Sequence, residues 1–81
     1  MKENYFEEYK RIASNIKALR KAKHLTQEQL SELSGLSLSY ISKIEAPNCN
    51  KSFSLDALFI LAEVLEVNVK EFFNWYEIFY C

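Results

Sequence analysis

The sequence predicts an all-α fold, a bundle of five short helices forming one domain over residues 1–81 with its core in residues 10–73. Three observations lead there. Apolar residues recur at intervals of three and four along the chain, and no segment sustains the alternation of a strand. Ser, Thr or Asn stands ahead of several of these apolar segments, where its side chain can accept a hydrogen bond from an otherwise unpaired helix N–H. Turn-forming residues are sparse: one glycine, Gly35, and one proline, Pro47, serve all 81 residues, so connections are short.

The elements follow in order. Tyr9, Ile12, Ile16 and Leu19 line one face of a first helix over about residues 5–22, with Lys10, Ser14, Lys17 and Lys21 opposite. That helix should end near His24, a non-glycine type that tolerates positive φ. Thr26-x-x-Gln29 is a capping box that starts a second helix, with Leu30 and Leu33 on its core side. Gly35 stops it as a left-handed cap does. Ser37 can cap a third helix with Ile41 and Ile44 facing inward, and Pro47 ends that helix by about Ala46. A polar loop, PNCNKS, leads to Ser54 and a fourth helix, DALFILAEVL. Its few polar positions, Asp56 and Glu63, predict a central place in the core. Asn68 can cap a fifth helix over residues 69–80.

Composition narrows the class of function. The chain is 49% hydrophobic and 26% charged, as folded domains are. Its longest apolar run, ALFILA, is far below the ~20 residues of a membrane span. The first ten residues are polar and acidic rather than signal-like, and the expected location is the cytoplasm. Cys49 and Cys81 match no metal spacing and are expected to be free thiols. Net charge is −1, but unevenly spread: residues 1–23 carry seven basic and three acidic groups, residues 24–46 one and three, and residues 47–81 two and five. Between Tyr9 and Gln27 stand six Lys or Arg and no acid. A local field of this kind, rather than the total charge, is what attracts phosphate. An enzyme would need a nucleophile–base pair, a carboxylate dyad or a metal site. One Asp, one His and two unrelated Cys offer none, and no cofactor is expected.

The second and third helices, joined through Gly35, have helix-turn-helix form. Two helices meeting steeply across a short turn need a position with positive φ, which glycine adopts without a Cβ clash. The helix that follows must be apolar inside and rich in donors and acceptors outside to enter a major groove. Ile41 and Ile44 point one way; Ser39, Ser42 and Lys43 point the other, with Leu38 at the margin. That face is polar without strong charge, suited to base edges, although a serine-rich solvated surface would look the same. Lys17 and Lys21 on the first helix are candidates for phosphate contact, and Tyr40 is read as packed at the edge of the third helix.

Residues 12–73 resemble the lambda-repressor-like, XRE/Cro-type helix-turn-helix family. The resemblance is carried by I-x-x-L-R (Ile16 to Arg20), L-T-Q-E-Q-L (Leu25 to Leu30), S-G-L-S-x-S-Y-I-S-K-I-E (Ser34 to Glu45) and L-x-x-L-A-x-x-L-x-V-x-x-x-x-F-F ending at Phe73. It implies a compact bundle of four or five helices that binds operator DNA as a symmetric dimer. It further implies that Ser37, Leu38, Ser39, Ser42 and Lys43 are base-facing, that Gln27 contacts phosphate and braces a base reader, and that Arg20 and Glu45 form an ion pair between the first and third helices. Asn48, Asn50 and Lys51 would touch the DNA backbone. Two departures stand out: Leu38 replaces a polar reader, and the loop APNCNKSFS lacks the Gly and Arg common there. Leu38 would contact a thymine methyl or lie partly buried and inert.

Six of the twelve aromatic residues lie between Phe72 and Tyr80. One helix cannot bury them all against so small a core, and exposed aromatic patches mark interfaces. Phe72, Trp75, Tyr76, Phe79 and Tyr80 are therefore expected to form a twofold dimer interface, setting two recognition helices roughly 34–36 Å apart on a palindromic operator. Against this, the tail could wrap its own first helix at Tyr5, Phe6 and Tyr9. A regulator of transcription, a repressor or a controller- or antitoxin-like protein, is the function expected. The competing reading is a protein-interaction module that keeps the fold without DNA, which the pI of 5.8 and Leu38 would suit.

Overall fold

The first helix begins on an acidic turn and ends on a basic one, as the helix dipole favours. In the computed structural model, which describes residues 5–46 and 53–74, it is α1, Phe6–Ala22, with Glu7 and Glu8 in its first turn and Arg20 and Lys21 in its last. His24 then takes φ 61°, the left-handed turn expected of it. The capping box at α2, Gln27–Ser34, is complete: Thr26 Oγ1 accepts from Gln29 N at 3.0 Å, and Gln29 Oε1 accepts from Thr26 N at 2.9 Å. Gly35 closes α2 at φ 79°, donating its N–H to Ser31 O at 2.9 Å. Ser31 Oγ donates to Leu36 O at 2.6 Å, and Leu36 N donates to Ser34 Oγ at 3.1 Å, so serines satisfy the turn from within. Ser37 caps α3, Leu38–Glu45, and Ser54 caps α4, Leu55–Leu65.

Four α-helices, not five, are present among the described residues. The segment after Asn68 is a 3-10 turn, Val69–Phe73, and Asn74 is already extended at φ −76°, ψ 151°. The reason is a competing partner. Asn15, buried in the middle of α1, donates its amide N–H groups to Phe72 O at 2.9 Å and Asn74 O at 2.7 Å. Those carbonyls are turned toward α1 instead of along a helix axis. Residues 75–80 of the expected fifth helix lie outside the described residues.

The core joins Ile12 and Ile16 of α1, Leu30 of α2, Ile41 and Ile44 of α3, Leu58, Leu61 and Leu65 of α4, and Phe72. α1 packs on the 3-10 turn and on α3, while α2 packs on α3 and α4. Each fully buried side chain of this kind is worth ~1.5–3 kcal/mol relative to exposure. Phe72 is fully buried (0% exposed), which corrects its assignment to a dimer surface: it closes the monomer's own core.

One other expectation fails. Leu33 is 61% exposed rather than on the core side. A two-turn helix offers one line of contact; Leu30 occupies it, Leu25 and Leu36 close in from the flanking loops, and Leu33 lies about 60° off that line. α4 has the central place expected of it, giving Leu58, Leu61, Ala62 and Leu65 to the core, while Leu55 and Phe59, one turn apart, are 63% and 52% exposed. Its C-terminus turns at Glu66, another non-glycine residue with positive φ, 62°. Lys23 Nζ donates to Glu66 Oε1 at 2.5 Å, and this bond holds the Glu66 carboxyl below its ordinary value of 4.5. No helix among the described residues is long and apolar enough to cross a membrane.

Candidate nucleic-acid interface

The geometry of α3 begins with its inner face. Ile41 and Ile44 are 1% and 3% exposed, and they fix the rotation of the helix about its axis. With that rotation set, Ser37, Leu38, Ser39, Ser42 and Lys43 all come to the outside. Ser37 has a second duty, since its Oγ accepts from Tyr40 N at 3.0 Å; its O–H remains a donor. Tyr40 is half-buried, and its hydroxyl accepts from Ser54 N at 3.4 Å, across the start of α4. Tyr9 and Phe53 meet edge to face with centroids 5.4 Å apart, anchoring the chain just before that cap.

The base of α3 is held by charge. Arg20 Nε donates to Glu45 Oε2 at 2.8 Å and Arg20 Nη2 to Glu45 Oε1 at 2.9 Å, a bidentate pair with both residues buried. The third nitrogen, Nη1, donates to Leu25 O at 2.6 Å, and Leu25 N returns a bond to Arg20 O at 3.2 Å. Gln27 Nε2 adds a further donor to Glu45 Oε1 at 3.0 Å. One carboxylate thus ties α1, α2 and α3 together. Buried charges are tolerable only when paired and hydrogen-bonded in this way.

A shallow depression opens above this network, lined by Arg20, Thr26, Gln27, Glu28, Leu38, Ser39 and Ser42. It brings the start of α2 beside the first turn and a half of α3. The positive end of the helix dipole at the start of α2 suits an anion, whereas Glu28 opposes one. Glu28 was not singled out from the sequence, although its place next to Gln27 in the first turn of α2 is a signal. Lys17 and Lys21 are exposed on α1. Asn48, Asn50 and Lys51, and Trp75, Tyr76, Phe79 and Tyr80, lie outside the described residues. Asn15 was also missed; a lone amide beside Ile12 and Ile16 was its only trace in the sequence.

Known proteins share this arrangement. A helix-turn-helix family model matches residues 16–72, from the middle of α1 to the buried Phe72. The chain is 40% identical over 58 residues to the control protein C.SmaI of Serratia marcescens, spanning 72% of this chain and 67% of that one. The crystal structure of the restriction-modification controller protein C.AhdI from Aeromonas hydrophila superposes with a TM-score of 0.75 at 33% identity, covering 83% of this chain and 98% of the other. A glycine-turned helix pair, an outward polar α3 and these likenesses together place the chain in the XRE-type helix-turn-helix family of DNA-binding transcription regulators.

Proposed function

We propose that the protein is a sequence-specific transcriptional regulator that binds a twofold-symmetric DNA operator as a homodimer. The observation that carries the reading is the division of α3. Its inner isoleucines are sealed in the core, its outer Ser39, Ser42 and Lys43 are exposed, and Glu45 fixes its C-terminal end. A rigid helix with an accessible donor and acceptor face is what a major groove requires. The likeness to two controller proteins supports a small stand-alone regulator.

In this reading Ser37, Leu38, Ser39, Ser42 and Lys43 meet base edges. The start of α2 at Gln27, Lys17 and Lys21 on α1, and Asn48, Asn50 and Lys51 after α3 meet the phosphates. Trp75, Tyr76, Phe79 and Tyr80 join the two copies. Phe73, 43% exposed beside the buried Phe72, and the uncovered Leu55 and Phe59 of α4 supply further apolar surface for such a contact.

Selection of bound duplexes from a random pool tests the proposal. The expected product is a symmetric consensus whose half-sites lie about one helical turn apart, or a multiple of it. Binding should weaken steeply with salt, as phosphate contacts release counterions. Ser42→Ala should change base preference within a half-site, and Gln27→Ala should weaken all sites alike. Absence of any enriched duplex at ~100 mM salt would leave the fold to a protein-interaction role.

A further inference from the structure

Leu38 is the anomaly of the reading face. It is the first residue of α3 and is 41% exposed, on the wall of the depression it shares with Thr26, Gln27 and Ser42. Neither packing nor capping accounts for it. Ile41 and Ile44 fill the inner face, and Ser37 supplies the cap. A leucine has no donor or acceptor, so against DNA it gains only by removing apolar surface from water. The major-groove edges of the four bases present nitrogens and oxygens, and one apolar group, the C5-methyl of thymine.

The neighbours sharpen the point. Ser39 and Ser42 carry hydroxyls, which can donate or accept, so each imposes a weaker choice of base than a bidentate side chain would. No arginine lies on the outer face of α3 to claim a guanine, and Lys43 is its one cation. Discrimination at the base pair beneath Leu38 then falls to the methyl group.

We infer that Leu38 is a specificity-determining residue that recognises a C5-methylated pyrimidine, thymine in ordinary DNA. The inference rests on the DNA-reading function proposed above. It extends to 5-methylcytosine, which carries the same methyl at the same place in the groove. The depression at the α2–α3 junction, flanked by Thr26 and Gln27, is where that methyl is received.

The test uses the full-length protein and its selected duplex. Each thymine is replaced in turn by uracil, which removes the methyl and keeps every hydrogen-bonding atom. Wild-type protein should lose affinity by about fivefold per half-site at one position, the scale expected for uncovering a single methyl contact. Leu38→Ala should bind the thymine and uracil duplexes equally, while Leu38→Met, still apolar, should keep most of the ratio. A cytosine placed at that position should bind better methylated than unmethylated for the wild type and for Leu38→Met, but not for Leu38→Ala. A uracil scan without effect at every position would overturn the inference, as would a Leu38→Ala protein that keeps the wild-type ratio. The wild-type scan needs no variant, so it stands even if Leu38→Ala folds poorly. Failure to select any duplex would instead count against the DNA-reading function itself.

Discussion

A single backbone angle decides how the two recognition elements meet. Gly35 sits at φ 79°, and a Cβ built there finds no heavy atom within 4 Å. The demand for glycine is therefore purely conformational. Gly35→Ala should cost ~1–2 kcal/mol, the strain of a left-handed L-residue, and Gly35→Asn clearly less. Thermal unfolding checks it: a loss of about 4–8 °C per kcal/mol is expected for a domain of this size. Equal losses for alanine and asparagine would contradict it. Residues like this one were readable beforehand because their causes are local. The capping box at Thr26 and Gln29, the positive φ of His24, the stop at Gly35 and the caps at Ser37 and Ser54 each depend on three or four neighbours in the chain. Leu33, Phe72 and Asn15 were misread or missed because what decides them is a partner elsewhere in the fold. Glu66 fell to neither: its left-handed turn has no favourable sequence signal, and Lys23 reaches it across forty-three residues.

At the level of elements, the helices are held in register by one buried ion pair as much as by the isoleucines. Arg20→Met leaves the Glu45 carboxylate buried with Gln27 as its one remaining donor among the described residues. We expect a loss of ~3–5 kcal/mol, the usual result of removing one partner of a buried pair. The double change Arg20→Met with Glu45→Leu should recover much of it, since the stranded charge is then gone. Urea unfolding of the three proteins measures this, and a double variant no more stable than Arg20→Met would refute the account. The wheel of α3 was legible in the sequence because its inner and outer residues are chemically distinct. The extent of the last helix was not. Helix propensity and an Asn68 cap argue for continuation, yet the amide of Asn15 draws the carbonyls of Phe72 and Asn74 aside.

For the molecule as a whole, the question is what covers its uncovered apolar side chains. Leu55, Phe59 and Phe73 remain 63%, 52% and 43% exposed, in a domain too small to spare much apolar surface. Association of two copies would bury such surface and set two α3 helices on one side of a duplex. Sedimentation at tens of micromolar should therefore give about twice the chain mass of 9.5 kDa. A monomer throughout that range would remove the dimer from the proposal while leaving α3 intact as a reader.

The amide of Asn15 also has a bearing on how the chain is made. Its two partners lie 57 and 59 residues downstream, and Phe72, the largest of the fully buried side chains, arrives with them. A ribosome must therefore add residues 72–74 before this part of the inner surface of the first helix is covered. Until that moment the pair of helices around Gly35 rests on a core that lacks its largest buried side chain, and a nascent chain is poorly equipped to hold that pair rigid.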